Sequence, residues 1–375
     1  MKILFTGGGT GGHFYPIIAV AQKVRDIVYE EKLIEPELFF MSTDPYNDRA
    51  LLENKISFIQ ASAGKIRRHF SLANFTDPFK SFFGILQAIF KVYSIYPDVV
   101  FSKGGFASVP AVFAARILRI PLVIHESDSR PGRANKWAGK FATRIALSYP
   151  DALTYFPKNK TAVTGHPIRK EIIYPIKEGA REYLKLEEEL PIILILGGSQ
   201  GAQAINNVII DLLPDLTKRY QIIHQTGKNN FTDSETRAKV LLEGTGREGR
   251  YKPFAYLNDI ATRMAAGAAD LIISRAGSTI FEIALWGTPS IIIPIPETVS
   301  HDQRTNAFTY ARSGACVVIE ENNLSQSVLL SEIDRLFQHP DLLTTMREKT
   351  KNFAKPDAAN VIARGLIDIC LQHER

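Results

Sequence analysis

The chain has few cysteines, and its histidines and cysteines do not cluster. Cys316 and Cys370 are its only cysteines among 375 residues, and they are too far apart to suggest a disulfide framework. Neither a His/Cys motif with zinc-ligand spacing nor a paired Asp-x-Asp at a strand end is present. The sequence therefore predicts a protein of a reducing compartment without a metal site.

Long hydrophobic runs are also absent. Met1-Lys2 leads straight into a strand pattern, without the long apolar core of a signal peptide. No uninterrupted apolar segment reaches the ~20 residues that a transmembrane helix needs. The P-loop pattern, a Gly-rich stretch ending in Gly-Lys-Ser/Thr, does not occur, which argues against a P-loop nucleotidase. We expect a globular protein with neither a signal peptide nor a transmembrane segment.

Charge of neither sign dominates. The formal net charge is +6, with 45 Lys and Arg against 39 Asp and Glu. This excess suits an anionic partner such as a nucleotide, a diphosphate, a membrane surface or a nucleic acid, and a basic proteome background explains it equally well. A length of 375 residues is comfortable for two domains.

Glycine is placed at junctions between predicted strands and helices. Strand Lys2–Thr6 is followed by Gly7–His13, and strand 192–196 is followed by Gly197-Gly198 with the polar Ser199 and Gln200. Two further junctions of this kind are 102–110 and 275–282. Free backbone N–H groups at a helix start, together with the helix dipole, bind anions. One glycine loop heads each half of the chain, which predicts two α/β domains facing one ligand-filled cleft.

His13 ends the first glycine loop and lies beside the N-terminus of a helix that the apolar periodicity predicts over Pro16–Ile27. A helix N-terminus disfavours positive charge, so we expect a neutral imidazole that acts as a general base or orients an acceptor. A helix-capping role is the alternative. The pattern Gly7-x-Gly9-x-x-Gly12 also matches a dinucleotide-binding fingerprint. That fingerprint usually includes an acidic residue at the end of the second strand, and Asp44 lies just beyond that position. On that match alone, a nicotinamide- or flavin-binding oxidoreductase remains an alternative.

Charged side chains follow several predicted strands, where an open α/β sheet binds its ligands. Glu126 and Asp128 follow strand 121–125, where a carboxylate can act as a base or bind sugar hydroxyls. The alternative is a structural role in a helix cap or a loop salt bridge. Glu282 lies one turn into a helix, where its carboxylate can bind the two hydroxyls of a ribose. The alternative is an ordinary first-turn acid that interacts favourably with the helix dipole. Arg169 offers a fork of donors to a diphosphate.

Aromatic and basic residues alternate before Gly84. This pattern is typical of a surface that docks at lipid headgroups, and a core or partner-helix face is the alternative. The predicted membrane patch consists of Arg67, Arg68, Phe70, Phe75, Phe79, Lys80, Phe82 and Phe83. We expect the following segment, Ile85–Phe90, to pack on the sheet, and the acidic segment Glu178–Glu189 to form a solvated helix.

Seven motifs occur in order along nearly the whole chain. They are Gly7–His13, Lys103–Phe106, His125–Asp128 with Pro131-Gly132 and Asn135-Lys136, Thr164–Arg169, Gly197–Ala202, Arg275–Glu282, and Asp302-Gln303 with Asn306-Ala307. On these residues the chain resembles the MurG family of peptidoglycan N-acetylglucosaminyltransferases. Another GT-B transferase acting on a lipid or natural product, and a non-catalytic scaffold, are the alternatives.

The resemblance implies a GT-B fold of two Rossmann-like domains. Their expected bounds are 1–165 for the acceptor and membrane-facing domain, completed by a C-terminal helix at about 355–375, and 166–354 for the donor domain. It implies inverting transfer of N-acetylglucosamine from UDP-N-acetylglucosamine to lipid I, giving lipid II, without an essential metal or any other cofactor. It also implies peripheral attachment to the cytoplasmic side of the cell membrane through anionic phospholipid. Cell-wall and division proteins are further expected partners, and nucleic acid is not.

The resemblance also implies a role for each matching residue. His13 would be the base, with Glu126 as rival or helper, and Gly104 and Gly105 would hold the acceptor diphosphate. The implied donor-binding residues are Thr10, Gly11, Gly12, Asp128, Arg169, Ser199, Leu257 through its backbone, Ser278, Thr279, Glu282 and Gln303. The chain departs from the family at Asp128, where Asn is frequent, and at Phe106, where some members have Tyr. It is also one residue shorter over 277–282 than some relatives.

Overall fold

The computed structural model describes residues 1–64, 73–198, 201–299 and 301–373, and of residues 73–82, 301 and 373 it describes the backbone alone. The chain divides into two structural units. The N-terminal unit comprises Met1–Arg169 and Lys355–Arg375, and the C-terminal unit comprises Lys170–Ala354. The first unit thus ends at Arg169, whereas the sequence placed the boundary after residue 165.

The N-terminal unit is built on a seven-stranded sheet in which every pairing is parallel. Its strands are β1 Lys2–Thr6, β2 Glu37–Ser42, β3 Ile56–Gln60, β4 Val99–Ser102, β5 Leu122–Glu126, β6 Arg144–Leu147 and β7 Thr161–Val163. They are arranged in the order β3-β2-β1-β4-β5-β6-β7. Ile3, Leu4 and Phe5 of β1 are fully buried, as expected for a parallel strand covered on both faces.

Helices cover both faces of this sheet. They are α1 Gly11–Glu30, α2 Asp48–Glu53, α3 Ala73–Ile95, α4 Val109–Ile117 and α5 Arg133–Ala138. Helix α1 packs on one face through Phe14, Ile17 and Val24, while α3 and α4 contribute to the core on the other. Helix α1 begins at Gly11, before the predicted start at Pro16, because glycines carry no apolar periodicity from which a helix start can be read.

The C-terminal unit repeats this design with a six-stranded parallel sheet of order β10-β9-β8-β11-β12-β13. Its strands are β8 Ile192–Leu196, β9 Gln221–Gln225, β10 Tyr251–Phe254, β11 Leu271–Ser274, β12 Ser290–Ile292 and β13 Cys316–Val318. Its helices are α6 Lys170–Ile173, α7 Ala180–Tyr183, α8 Gln203–Leu216, α9 Phe231–Leu242, α10 Asp259–Ala268, α11 Thr279–Trp286, α12 His301–Arg312, α13 Gln326–Gln338 and α14 Pro340–Phe353. One core lies on each face of the sheet.

The last helix, α15 Ala358–His373, returns to the N-terminal unit. Its residues Ile362, Leu366 and Cys370 belong to the same buried cluster as Ile17 and Val24 of α1. An ion pair of 2.8 Å between Arg364 Nη1 and Glu31 Oε1 lies at the surface beside this contact. The C-terminal segment therefore completes the core on one face of the first sheet.

One expectation about helices is wrong, and another holds only in part. The acidic segment Glu178–Glu189 contains a single helical turn, α7, which the left-handed backbone of Lys185 (φ 55°) follows. In α3, Ala88 and Val92 are buried, but Phe90 is 74% exposed and Leu86 is 49% exposed. Part of the apolar face predicted to pack on the sheet therefore faces solvent.

Among the described residues, no helix combines the length and apolar character needed to cross a bilayer.

In both units the strand order reverses at the first strand. Strands β1 and β4 are neighbours in the N-terminal sheet, and β8 and β11 are neighbours in the C-terminal sheet. The connections leave such a pair in opposite directions, which opens a crevice at the carboxyl ends where α/β proteins bind ligands. Each crevice is bordered by two of the predicted glycine junctions.

Candidate active site

Four glycines shape the crevice of the N-terminal unit. Gly8 and Gly9 after β1 have φ values of 157° and 89°, and Gly104 and Gly105 after β4 have values of 85° and 81°. A Cβ atom on Gly104 would lie 2.8 Å from the side-chain amide of Asn135. These positions therefore require glycine for backbone conformation, and Gly104 requires it for space as well.

His13 lies in the first turn of α1 beside the second of these loops. A Cβ atom built on Gly105 would be 3.8 Å from both Cε1 and Nε2 of the imidazole, and Nδ1 is 2.9 Å from Thr10 Oγ1. Desolvation, followed by the positive charge of Lys103, lowers the pKa of His13 to about 4, so the ring is neutral at pH 7. When Nδ1–H donates to Thr10, Nε2 keeps a lone pair that can accept a proton.

Glu126 lies at the end of β5, and its carboxylate organises the loop that follows. Oε1 accepts a hydrogen bond from Asp128 N at 2.9 Å, and Oε2 accepts from Gly132 N at 3.1 Å and Asn135 Nδ2 at 3.0 Å. Burial, followed by the charge of Asp128, raises the pKa of Glu126 to about 7. Because both oxygens are engaged inside the protein, this geometry favours His13 over Glu126 as the base.

Lys103 is a further charged residue of this site, and it is not among the predicted site residues. It directly follows β4, is 1% exposed, and donates through Nζ to Ser127 Oγ. Burial lowers its pKa to about 8, against the opposing effect of Glu126 and Asp128. Its position between a buried strand and Gly104-Gly105 is the sequence feature that indicates a place in the site, because residues at the end of such a strand border the crevice.

A pair of buried histidines connects the end of β5 with the loop that leads to Arg169. His125 Nε2 donates to Gly165 O at 3.0 Å, and Ser148 Oγ lies 3.3 Å from that nitrogen and 3.2 Å from His166 Nδ1. Burial, followed by the charge of Lys103, holds the pKa of both imidazoles well below the ordinary value. Both rings are therefore neutral at pH 7.

Acidification should destabilise the fold through the neutral histidines. Below a pH of about 6.5 the unfolded chain binds protons on histidines that the folded chain keeps neutral, so each one removes about 1.4 kcal/mol of stability per pH unit. The contributing histidines are His13, His125, His166 and His224, the last with a pKa lowered to about 3 by burial. Glu126 has the opposite sign, because its raised pKa favours the folded state in acid.

Urea unfolding at pH 7.5 and pH 5.5 measures this dependence. We expect a lower unfolding free energy at pH 5.5, and His224→Gln should reduce the difference, because it removes one neutral imidazole that bonds Asn206 and Tyr251. Equal unfolding free energies at the two pH values would contradict the prediction.

The glycine loop after β8 borders the crevice of the C-terminal unit. Gly198 and Gly201 have φ values of 78° and 80°, and a Cβ atom on Gly201 would lie 2.4 Å from Thr226 O. Helix α8 begins two residues later, at Gln203. Ser199, the predicted phosphate ligand, lies outside the described residues.

The backbone of Leu257 is already hydrogen-bonded within the unit. Its N–H donates to Gln225 Oε1 at 3.0 Å, and its carbonyl accepts from Thr262 Oγ1 at 3.2 Å. A uracil could still use the second lone pair of the carbonyl, whereas the N–H is engaged by Gln225. No sequence pattern indicates this pairing, because Gln225 and Leu257 meet only when β9 and β10 are neighbours.

The remaining predicted donor ligands of the C-terminal unit lie at the carboxyl ends of β11 and β12. Ser278 is the N-cap of α11 and makes no side-chain capping bond, and Thr279 and Glu282 lie in the first turn of that helix. Gln303 lies near the start of α12 and accepts through Oε1 from Ile295 N at 3.3 Å. The structure thus places these residues at the same end of the second sheet as the Gly197 loop.

The other predicted residues are distributed as follows. Gly11 and Gly12 form the first turn of α1, and Asp128 donates its backbone N–H to Glu126. Arg169 places its guanidinium 4.3 Å from the centre of the Tyr15 ring. Of the membrane patch, Arg67, Arg68 and Phe70 lie outside the described residues. The side chains of Phe75, Phe79, Lys80 and Phe82 are likewise not described, while Phe83 is 65% exposed.

These features define the class of protein. Two parallel sheets in Rossmann order, each with glycine turns at its switch point, form the α/β architecture of a GT-B protein, which binds nucleotide-linked and other anionic ligands at strand ends. Among the described residues, no group of three or more His, Cys, Asp or Glu side chains could hold a metal ion.

Comparisons with known proteins identify the family. Residues 3–147 match the glycosyltransferase family 28 N-terminal domain, and residues 192–362 match the C-terminal domain of that family. A UDP-N-acetylglucosamine–N-acetylmuramyl-(pentapeptide) pyrophosphoryl-undecaprenol N-acetylglucosamine transferase of Clostridium novyi is 38% identical over 90% of each chain. The transferase of the same name from Clostridium perfringens is 36% identical over 98% of this chain and 97% of its own.

Solved structures agree with this assignment. Acinetobacter baumannii MurG superposes with a TM-score of 0.72 at 25% identity, over 98% of this chain and 99% of that chain. A UDP-GlcNAc 2-epimerase from Neisseria meningitidis bound to UDP-GlcNAc has a TM-score of 0.68 at 14% identity, over 98% of this chain and all of its own, which shows the fold alone.

The chain belongs to the MurG family of N-acetylglucosaminyltransferases. This confirms the resemblance and the GT-B fold predicted from the seven motifs, and the oxidoreductase alternative is wrong.

Proposed function

We propose that this protein transfers N-acetylglucosamine from UDP-N-acetylglucosamine to undecaprenyl-diphospho-N-acetylmuramoyl-peptide, which converts lipid I to lipid II. The observation that carries the proposal is identity of 36–38% to transferases of this name over at least 90% of the chain. The glycine-bordered crevices and the neutral His13 support it, because they suit anionic substrates and a proton transfer.

In the proposed mechanism the N-terminal unit binds the acceptor and the C-terminal unit binds the donor. Nε2 of His13 accepts the proton of the acceptor hydroxyl, whose oxygen attacks the anomeric carbon of N-acetylglucosamine. The bond from that carbon to the UDP oxygen breaks as the new bond forms, which inverts the configuration and releases UDP. The N-termini of α8 and α11 would stabilise the charge on the leaving diphosphate, so we propose that no metal is required.

Turnover by the purified chain tests this function. UDP-N-acetylglucosamine and a detergent-solubilised lipid I analogue should yield the disaccharide product in the presence of EDTA, and UDP-glucose should react far more slowly. Failure to glycosylate the analogue with a donor that binds in calorimetry would overturn the acceptor assignment, and activity only after addition of a divalent cation would overturn the metal-free mechanism.

We also propose that α3 attaches the protein to the cytoplasmic face of the membrane. Phe83, Leu86, Phe90 and Tyr93 are 65%, 49%, 74% and 64% exposed, and spacings of three and four residues place them on one face of the helix. An exposed apolar stripe is typical of interaction surfaces. The basic residues that precede α3 in the sequence, Arg67 and Arg68, suit an interaction with anionic lipid. Contacts with cell-wall and division proteins stay a prediction of the resemblance.

Vesicle sedimentation should detect this attachment. Phe90→Ser is expected to weaken binding to vesicles containing anionic phospholipid about tenfold, because one phenylalanine no longer enters the interface. Tyr29→Ser is the matched control, since Tyr29 is 87% exposed on α1, outside the stripe. Equal binding by Phe90→Ser and the wild type would contradict the proposal, as would a loss shared by Tyr29→Ser.

A further inference from the structure

Lys103 and Ser127 form a polar pair at the ends of two neighbouring strands. Lys103 follows β4 and Ser127 follows β5, and these strands are paired in the sheet. The lysine is 1% exposed, its Nζ is hydrogen-bonded to Ser127 Oγ, and Ser127 is partly exposed. The buried ammonium can therefore influence a ligand in the crevice through the serine hydroxyl to which it is bonded.

The protonation state of Lys103 determines the direction of this hydrogen bond. An ammonium group has three donors and no acceptor, so Ser127 Oγ must accept from it and its own O–H is left to donate elsewhere. A neutral amine keeps two N–H donors and gains a lone pair, so it can accept the serine O–H and compete with a ligand for that donor. The charged and titratable groups that face the ammonium are Glu126 and Asp128, which favour its proton, and His13, His125 and His166.

We propose that Lys103 is a positioning residue whose ammonium makes the Ser127 hydroxyl a hydrogen-bond donor to an anionic oxygen of a substrate diphosphate. The inference rests on the proposed function, in which both substrates carry a diphosphate. Asp128 and the ionised form of Glu126 place negative charge beside Ser127, and a nearby cation offsets their repulsion of an anion. Lys103 supplies that cation beside Gly104 and Gly105.

The pair makes the diphosphate affinity dependent on pH. Burial lowers the pKa of Lys103 to about 8, so the ammonium predominates at pH 7 and is lost above pH 8. Loss of the proton removes the positive charge and leaves a lone pair on Nζ that can accept the serine O–H. Affinity for the diphosphate should therefore decrease between pH 7 and pH 9.

Two variants and their combination test the pair. Ser127→Ala removes the donor, and Lys103→Met removes the charge while keeping an unbranched side chain. Lys140→Met is the matched control, because it removes an exposed lysine of the same unit. Calorimetry with farnesyl diphosphate and with UDP separates the lipid diphosphate from the nucleotide diphosphate as the source of the anion.

Ser127→Ala and Lys103→Met should each lower the affinity for one of the two diphosphates about tenfold. The double variant should bind that diphosphate no more weakly than the single variants do. The affected probe assigns the source: farnesyl diphosphate for the acceptor, UDP for the donor. Ser127→Ala should also reduce the decrease in affinity between pH 7 and pH 9. Unchanged affinities, additive losses or an unaltered pH profile would overturn the inference.

The experiment separates this inference from the proposed function. Turnover by the wild-type protein tests the function, whereas diphosphate binding by the variants tests the Lys103–Ser127 pair even if no turnover is observed. Should Lys103→Met fail to fold, Ser127→Ala and its pH profile still decide the inference.

Discussion

Replacement of His13 by alanine should lower kcat about a thousandfold, because a positioned general base contributes of the order of 10²–10⁴ to a rate. The affinity for UDP-N-acetylglucosamine should stay within about twofold, since His13 acts in the chemical step and not in donor binding. Calorimetry measures the affinity, and a product assay with the lipid I analogue measures kcat.

Thr10 offers a graded control for the same prediction. Thr10→Val removes the oxygen that lies 2.9 Å from His13 Nδ1 and leaves the imidazole in place. It should therefore lower kcat less than His13→Ala does, through loss of the preferred tautomer. A His13→Ala variant with wild-type kcat, or one that loses donor affinity in proportion to kcat, would show that His13 is not the base.

The pH profile distinguishes His13 from Glu126 independently. The pKa of His13 is lowered to about 4 and that of Glu126 is raised to about 7. If His13 is the base, the acid limb of kcat/KM for the free enzyme should lie well below pH 6.5. An acid limb near pH 7 would assign the base to Glu126.

Replacement of Glu126 by alanine should damage both stability and activity. It leaves Asp128 N, Gly132 N and Asn135 Nδ2 without their acceptor, and buried donors without partners are costly. We expect a loss of about 3 kcal/mol in the unfolding free energy. Activity should also decrease strongly, because these bonds hold the loop that carries Ser127 and Asp128.

A conservative variant shows which effect dominates. Glu126→Gln keeps one oxygen acceptor and places an NH₂ group against donors, so its stability should be intermediate. Glu53→Ala, an exposed acid on α2, should change the unfolding free energy by less than about 0.5 kcal/mol. An unchanged unfolding transition with a thousandfold loss of kcat in Glu126→Gln would favour direct catalysis by Glu126.

Strands were the part of the fold most accessible from the sequence. The predicted bounds of β1 and β8 match those of the structure, because each is an apolar segment that ends at a glycine. Helix starts were less accessible, as α1 shows, because glycines give no periodicity. The length of α7 was also missed, since a run of acidic residues suits a solvated helix and a loop equally well.

The sequence by itself determined which residue types follow each strand, and therefore that glycine turns, a histidine and carboxylates gather at the carboxyl ends of parallel sheets. The tertiary structure decided how they are paired. Only the adjacency of β4 and β5 brings Lys103 to Ser127, and only the adjacency of β9 and β10 commits Gln225 to Leu257. The physical reason is that protonation and hydrogen bonding depend on burial and on neighbours distant in the chain, which local patterns do not record.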